Sequence, residues 1–305
     1  MSRRKHTYRD VHGVLLLDKP VGMSSNQALQ AVKRLYHARK AGHTGSLDPI
    51  ASGMLLICFG EATKISPYLL DADKSYRVVC ELGVKTTTGD SEGEVISRRP
   101  VKEFSNRDLE RVLSRFVGQI EQIPPMYSAL KHKGTRLYKL AREGIEVERK
   151  PRQVTIYRLR MTDRTSDSLS LEIKCTKGTY VRTLIEDIGE ALGCGAHVHE
   201  LRRVGVGPYA DTAMIGMDEL SSRAELGYAA LDEILAPIDS ALTDCPSVLL
   251  NGDLAYYARL GQAVLVPGTP SSGVVRLYND KRLFIGIGNI LADGRVAPKR
   301  LIFTE

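Results

Sequence analysis

The segment Ala41-Gly-His-Thr-Gly-Ser-Leu-Asp-Pro-Ile-Ala-Ser-Gly53 lies between a predicted helix and a predicted buried strand. Its three glycines permit backbone conformations that other residues resist. Pro49 favours an extended conformation for Asp48, so we expect the carboxylate to project from the turn. His43 supplies a flat ring that can stack or hydrogen-bond. On its own, the segment fits either an ordinary turn whose Asp caps a local amide or a site that carries chemistry.

Strands and helices alternate irregularly on both sides of this segment. Residues 13–20 are typical of a buried strand, and Ser24 or Ser25 is expected to cap the helix that follows. We predict further helices after Ser105, near residues 135–143 and over 218–235, and a hairpin of strands 153–160 and 168–176. No regular strand–helix repeat and no phosphate-loop glycine motif occur. The pattern therefore predicts an α+β fold with a mixed, mainly antiparallel sheet and flanking helices.

The chain is long enough for two domains. A length of 305 residues exceeds what one compact core usually organises. Beyond about residue 245 the sequence changes to short strands and turns, at 264–266, 274–278, 283–288 and 295–303. We therefore predict a large domain over 1–245 and a small β-rich domain over 246–305.

Positive charge is concentrated in one part of the chain. The formal net charge is +7, and residues 131–160 alone hold ten basic residues against three acidic ones, so the remainder is close to neutral. Such a segment is typical of binding to a phosphate backbone, although charge alone fits a solvated basic face equally well. The ten basic residues are Lys131, Lys133, Arg136, Lys139, Arg142, Arg149, Lys150, Arg152, Arg158 and Arg160.

Cysteine usage and hydropathy argue against several classes of protein. The five cysteines are widely spaced and form no C-x-x-C pair, which favours reduced thiols over a zinc site. The longest apolar runs have the length of a strand and are too short to span a membrane. The basic N-terminus is not followed by an apolar stretch, which argues against a secretory signal. We therefore predict a cytoplasmic protein without a metal ion and without membrane contact.

Six short blocks of the sequence resemble the TruB-type tRNA pseudouridine synthases. The blocks occur in the order found in the family and cover most of residues 11–210, which makes them far more specific together than any one alone. They are Gly13-Val-Leu-Leu-Leu-Asp-Lys-Pro20, the segment 41–53, Lys74-Ser-Tyr-Arg77, Ile123-Pro-Pro-Met-Tyr-Ser-Ala-Leu-Lys131, Lys177-Gly-Thr-Tyr-Val-Arg-Thr183, and Gly193-Cys-Gly-Ala-His197 with Leu201-Arg-Arg203.

This resemblance implies a reaction and the residues that carry it. A pseudouridine synthase breaks the bond between uracil N1 and the ribose, turns the detached base and rejoins it through C5. No redox change occurs, so no cofactor is expected. The resemblance implies Asp48 as the catalytic carboxylate, which attacks ribose C1′ or uracil C6 or accepts the C2′ proton, three courses that stay open. It implies Arg182 as the partner that reverses the rise in the Asp48 pKa caused by a dry pocket.

The resemblance also implies how a base is held. The target base must leave its stack to reach a carboxylate, and it then needs an aromatic ring to stack upon. The implied residues are Tyr76, which stacks on the base and takes part in proton transfer at C5, Tyr180 and Leu201 on the pocket wall, His43 in the space left by flipped bases, and Lys19 with Pro20 as structural support.

Two RNA-binding parts are implied as well. One is a basic insertion at about 124–152, in which Lys131, Lys133 and Arg136 are expected to contact the RNA backbone. The other is a PUA-like domain over 246–305. The implied partner is the T-stem and T-loop of tRNA, with the uridine at tRNA position 55 as the target, and the protein is expected to act as a monomer without a guide RNA.

Two alternatives remain at this point. The chain can be mainly an RNA chaperone, in which binding depends on the basic segment and catalysis is secondary. It can also be a guide-RNA-dependent relative of the same enzymes. The long basic insertion and the absence of extended charged tails favour an enzyme that acts alone.

Overall fold

The computed structural model describes residues 8–304. The prediction that the chain has no secretory signal rests on basic residues near the N-terminus, and these lie outside the described residues. Within 8–304 the strands are β1 (Gly13–Lys19), β2 (Ala41–Thr44), β3 (Ala51–Phe59), β4 (Lys74–Leu82), β5 (Val84–Thr86), β6 (Val95–Arg98), β7 (Gly118–Gln122), β8 (Lys131–His132), β9 (Thr135–Arg136), β10 (Arg152–Arg164), β11 (Ser168–Cys175), β12 (Ala196–Val206), β13 (Ile215–Gly216), β14 (Ser247–Leu249), β15 (Val264–Leu265), β16 (Gly273–Tyr278), β17 (Phe284–Ile290) and β18 (Arg295–Leu301). The α-helices of the same range are α1 (Ser25–Leu35), α2 (Ser66–Asp71), α3 (Asn106–Ser114), α4 (Leu137–Arg142), α5 (Val181–Ala191), α6 (Met217–Glu225), α7 (Tyr228–Asp232) and α8 (Gly252–Arg259). Short 3-10 helices occur at Gly60–Lys64, Gly207–Tyr209 and Ile238–Leu242.

A nine-stranded mixed sheet forms the centre of the molecule. Its strands lie in the order β13-β1-β3-β12-β4-β11-β10-β7, and β2 pairs with β3 outside this path. All neighbours are antiparallel except the pairs β1–β13 and β3–β12. The predicted hairpin is present as β10 and β11. The α+β fold with a mainly antiparallel mixed sheet is thereby confirmed.

A second, five-stranded sheet is built from the C-terminal residues, in the order β14-β16-β17-β18-β15. Helix α8 lies within this predicted β-rich part, where the sequence analysis did not foresee a helix. One apolar cluster joins the two sheets, with Leu16 and Met54 from the large sheet and Ile287 from the small one. The C-terminal sheet therefore packs directly on the large one.

Local signals located some helix ends and missed others. Ser24 and Ser105 cap α1 and α3 through reciprocal capping boxes, as predicted. The helix predicted over 218–235 is instead two helices, because Gly227 adopts a φ of 103° that ends α6. The helix predicted near residue 135 starts at Leu137, because the residues before it pair as the small hairpin β8–β9.

The segment 41–53 is only partly a loop. Its two ends extend the sheet as β2 and as the start of β3, so the turn itself is confined to residues 45–50. The turn therefore begins and ends on rigid strands. Within the described range, no helix is both long and apolar enough to cross a membrane.

Gly53 is the point where β3 approaches β12 most closely. It pairs with Arg203 in the parallel ladder and has a φ of +96°. A Cβ atom on Gly53 would lie 2.2 Å from the carbonyl oxygen of Arg203, which is backbone and cannot move aside. The close approach of these strands therefore requires glycine at this position.

We predict that Gly53→Ala lowers the free energy of unfolding far more than Gly193→Ala. Gly193 also has a positive φ, of +84°, but a Cβ there meets nothing within 4 Å. Gly193→Ala should therefore lower the free energy of unfolding only by the left-handed backbone penalty of about 1–2 kcal/mol. The additional loss in Gly53→Ala measures the clash of the new Cβ with the Arg203 carbonyl. Urea denaturation of both variants checks this, and equal losses would contradict it.

Candidate active site

Three contacts fix the turn at residues 45–50. The Ser25 hydroxyl accepts a hydrogen bond from the Leu47 amide at 2.7 Å and donates one to the Leu47 carbonyl oxygen at 3.1 Å. The Gly22 amide donates to the carbonyl oxygen of Pro49 at 2.8 Å. Because residues on either side of Asp48 are anchored in this way, the turn holds its carboxylate in one place.

The third contact comes from Arg203, whose side chain is fully buried. Its Nε donates to the carbonyl oxygen of Met54 at 2.7 Å, and its Nη2 donates to that of Gly45 at 3.0 Å. Among residues 8–304 no carboxylate lies within ion-pair distance of this guanidinium. The buried guanidinium of Arg203, held by backbone carbonyls, therefore joins β12 to β3 and to the turn. No role was predicted for Arg203 from the sequence.

Asp48 forms an ion pair with Arg182, across 134 residues of chain. Nε of Arg182 lies 3.0 Å from Oδ2 of Asp48. Nη1 donates to the carbonyl oxygen of Thr88 at 2.8 Å, and Nη2 donates to that of Tyr127 at 2.7 Å. The Arg182 side chain is 5% exposed, so its position is set by these contacts rather than by solvent. The predicted pairing of Asp48 with Arg182 is present in the geometry.

A second carboxylate shares the same guanidinium. Oδ2 of Asp90 lies 3.3 Å from Nη1 of Arg182, and the Asp90 side chain is buried. Burial raises the pKa of the Asp48 carboxyl above its usual range, Arg182 lowers it, and Asp90 raises it again. Arg182 therefore acts against the effect of burial, in the expected direction, while desolvation is the first cause of the raised pKa and Arg182 also faces Asp90.

Lys19 lies beside this carboxylate in a fully buried position. Its Nζ donates to the carbonyl oxygens of Pro20 at 2.7 Å and Met23 at 2.6 Å. Burial lowers the Lys19 pKa to about 8, while the charge of Asp48 acts in the opposite direction. Lys19 thus closes the turn that follows β1, and the Pro20 side chain itself is exposed.

The predicted pocket residues differ in whether they reach the open cleft. His43, on β2, lines the cavity above Asp48, and burial lowers its pKa. Tyr76 on β4 and Tyr180 at the start of α5 lie close enough to Asp48 for its charge to act on them, although burial is the main reason that their pKa values are raised. Leu201 is buried in the main core beside Ala51. Tyr76, Tyr180 and Leu201 do not line the open cavity.

The cavity above Asp48 is a broad cleft of about 1470 Å³ with a basic wall formed by residues 131–142, while Glu92 and Glu94 add negative charge elsewhere in its lining. Asp48 keeps 42% of its side chain accessible through this opening, although protein surrounds it on the other sides. The cleft is too large and too polar for a pocket that encloses a small apolar molecule. The basic residues on its wall are Lys131, Arg136, Lys139, Arg142 and Arg182.

The structure divides the basic segment into two groups. Lys131, Arg136, Lys139 and Arg142 face the cleft, and Lys133 lies at the tip of the β8–β9 hairpin. Arg158 and Arg160 instead contact Glu172 on the neighbouring strand β11. The ten basic residues of 131–160 therefore do not share one surface, and of the three expected to contact the RNA backbone, Lys131 and Arg136 line the cleft while Lys133 does not.

Sequence reasoning missed the supports of the site. Ser25, Asp90 and Arg203 were given no role in the site, and each acts through a contact more than 20 residues away along the chain. No local pattern signals such contacts. Within residues 8–304, the one cluster of metal-ligand side chains, Glu81, His197 and His199, does not line the cleft.

Comparison with known proteins identifies the fold and the family. Three family profiles match in succession: TruB family pseudouridylate synthase (N terminal domain) over residues 33–181, tRNA pseudouridylate synthase B C-terminal domain over 182–243, and Pseudouridine synthase II TruB, C-terminal, over 246–302. Among solved structures, a Cbf5-Nop10-Gar1 complex contains a chain with a TM-score of 0.75 at 24% identity, covering 96% of this chain and 85% of that one. At this identity the likeness shows the fold alone.

Relatives of much higher identity span the same length. The tRNA pseudouridine synthase B of Nitrosococcus oceani is 57% identical over 304 residues, covering 100% of this chain and 99% of the relative. The protein of the same name from Coxiella burnetii is 56% identical over 295 residues, covering 96% of both. The resemblance stated from the six sequence blocks is confirmed, and this chain belongs to the TruB family of pseudouridylate synthases.

Proposed function

We propose that this protein isomerises uridine to pseudouridine in the T-loop of tRNA, at position 55, and that Asp48 is its catalytic carboxylate. The single observation that carries the proposal is the Asp48–Arg182 ion pair, 3.0 Å long, at the floor of a basic cleft. The names of the relatives, tRNA pseudouridine synthase B, support tRNA as the substrate. The activity is that of an isomerase and needs no cofactor.

The reaction balances within the substrate. The bond between N1 and C1′ breaks, the bond between C5 and C1′ forms, C5 loses a proton and N1 gains one. Asp48 attacks C1′ or C6 or accepts the C2′ proton, and each course requires the ionised carboxylate. Tyr76 is the proposed group for the proton at C5, because this phenol on β4 is close enough to Asp48 for the carboxylate charge to act on it.

The shape of the cleft supports an RNA substrate whose target base is turned out of its stack. A folded loop needs a wide opening, and phosphates need cations around the rim, as the basic wall provides. The Nδ1 atom of His43 is buried without a hydrogen-bond partner. Burial favours the uncharged form of this ring, and a flat uncharged ring on the cleft wall suits stacking, in agreement with the role proposed for His43.

An RNA chaperone activity is a second candidate. The basic residues at the rim belong to a different segment from Asp48, so RNA binding and catalysis can be separated by mutation. A complementation test with Asp48→Asn distinguishes the two functions, and both can hold together.

Asp48→Asn should bind tRNA normally and form no product. The amide keeps the size of the side chain but cannot act as a base or nucleophile, so turnover should fall by at least about a hundredfold. The measurement is mapping of pseudouridine in an unmodified transcript, together with filter binding. Asp253→Asn, on the exposed first turn of α8, is the control and should remain active. Near-normal turnover by Asp48→Asn would end the assignment.

The acid side of the pH profile should report Asp48. Activity is present above the pKa of Asp48 and is lost as the pH falls through it, and because burial raises this pKa the loss should begin above the range of an ordinary Asp. Arg182→Gln removes the cation that lowers the pKa, so the acid limb should move up by about 1–3 pH units. Arg182→Lys keeps the charge and should move it less. Single-turnover rates from pH 4 to pH 8, a range chosen from about the ordinary Asp pKa upward, test this; an unmoved limb in Arg182→Gln argues against Asp48.

Affinity for tRNA should fall steeply with salt, and the cleft residues should set the slope. Replacing Lys131, Lys133 and Arg136 by Ala should flatten the plot of log K against log salt by about 2, at roughly 0.7–0.9 for each phosphate contact. Arg158→Gln with Arg160→Gln is the matched control, because these residues contact Glu172 instead. If the control flattens the slope and the cleft variant does not, the RNA lies elsewhere.

A further inference from the structure

Two histidines and a glutamate meet where β4 and β12 run side by side. Glu81 pairs with His197 across the two strands. The ladder shifts register between Val198 and Glu200, so His199 is an extra residue at a bulge, a feature that redirects side chains. The ligand-type atoms of Glu81, His197 and His199 all lie within 4.8 Å of one another.

The tautomer of His197 leaves its Nε2 atom able to bind a cation. Nδ1 of His197 lies 3.2 Å from the carbonyl oxygen of Val84, which can only accept, so Nδ1 carries the hydrogen. In the neutral ring Nε2 then holds a lone pair, and it faces Oε2 of Glu81 at 3.7 Å. Among residues 8–304 neither atom has a hydrogen-bond donor. Two electron-rich atoms that face each other favour a cation between them.

This arrangement has the features of a metal site. A ligating histidine commonly donates its other ring N–H to a backbone carbonyl, as His197 does, and its side chain is 5% exposed. Tetrahedral zinc with bonds of about 2.0–2.2 Å places its ligand atoms about 3.3–3.6 Å apart. The observed atoms lie within 4.8 Å of one another, and Glu81 and His199, the more exposed of the three residues, are the side chains that would have to rotate inward to reach this spacing. A bound proton could be shared by only two of these three groups, whereas a metal ion can bind all three.

We propose that Glu81, His197 and His199 bind a divalent transition-metal ion of the zinc type, with water at the remaining position. No metal ion was predicted from the sequence, because the five cysteines are widely spaced and form no C-x-x-C pair. Here Glu81 is more than 100 residues from the histidines, and only the strand register brings them together. The proposed ion takes no part in the isomerisation.

The proposed site is next to a structural support of the Asp48 cleft. The Val198 amide donates to the carbonyl oxygen of Gly89 at 3.0 Å, and the Ser91 amide donates to that of Val198 at 3.0 Å. Val198 lies between the two histidines, and the turn that it holds presents the Thr88 carbonyl and Asp90 to Arg182. Metal binding is therefore expected to stabilise this turn as well as the strand pair.

The test uses untagged full-length protein freed of metal with a chelator that is then removed. Titration with Zn²⁺ by calorimetry should show one ion per chain, Co²⁺ should give the visible absorption of a tetrahedral nitrogen–oxygen site, and Zn²⁺ should raise Tm. Glu81→Gln and His199→Ala should each weaken Zn²⁺ affinity by at least about tenfold. His37→Asn, which removes a histidine elsewhere and suits the φ of 49° found there, should leave the affinity unchanged.

Three outcomes would overturn the proposal. One is the absence of saturable binding of one Zn²⁺ per chain. Another is equal affinity in the wild type, Glu81→Gln and His199→Ala, with circular dichroism showing that all three are folded. The third is a thiolate charge-transfer band with Co²⁺, which would assign the binding to a cysteine. None of these readouts depends on pseudouridine formation, so the proposal stands or fails separately from the proposed function.

Discussion

The guanidinium of Arg182 is the contact on which the cleft depends. It joins the turn of Asp48, the Thr88–Asp90 turn and the segment at Tyr127, which come from three distant parts of the chain. A buried guanidinium has five N–H donors in a fixed plane, so its partners must arrive in set directions. The position of Asp48 is therefore coupled, through the Tyr127 carbonyl, to the start of the basic segment.

Arg203 is also buried, but its partners differ from those of Arg182, which faces two carboxylates. It has backbone carbonyl partners and no carboxylate within ion-pair distance among the described residues, so its positive charge is not cancelled locally. That charge lowers the pKa values of Lys19 and His43 beyond the effect of burial. Lys19 and His43 therefore lose a proton more readily than free side chains, while Lys131, Arg136, Lys139 and Arg142 lie on the wall of the cleft.

Whether the sequence predicts a feature of this site depends on how far apart along the chain the interacting residues are. Caps at Ser24 and Ser105 and the hairpin β10–β11 depend on neighbours along the chain, and the sequence located them. The identity of Asp48 and Arg182 came from family resemblance, because nothing local links residues 134 positions apart. The sharing of Arg182 with Asp90, and the register that brings Glu81 to His197, depend on strand pairing that no local pattern encodes. The influence of Asp90 on the pKa of Asp48 was not predicted for that reason.

The sharing of Arg182 between two carboxylates bears on reactivity. A carboxylate paired with its own arginine in water would be ionised but weakly basic, since a low pKa means low affinity for a proton or for carbon. Burial raises the pKa of Asp48, and the presence of Asp90 limits how far Arg182 can bring it down again. Asp48 is thus oriented by an arginine that does not fully stabilise its charge. In the proposed reaction the same carboxylate must be ionised to begin and basic enough to react, and a guanidinium shared by two carboxylates meets both requirements.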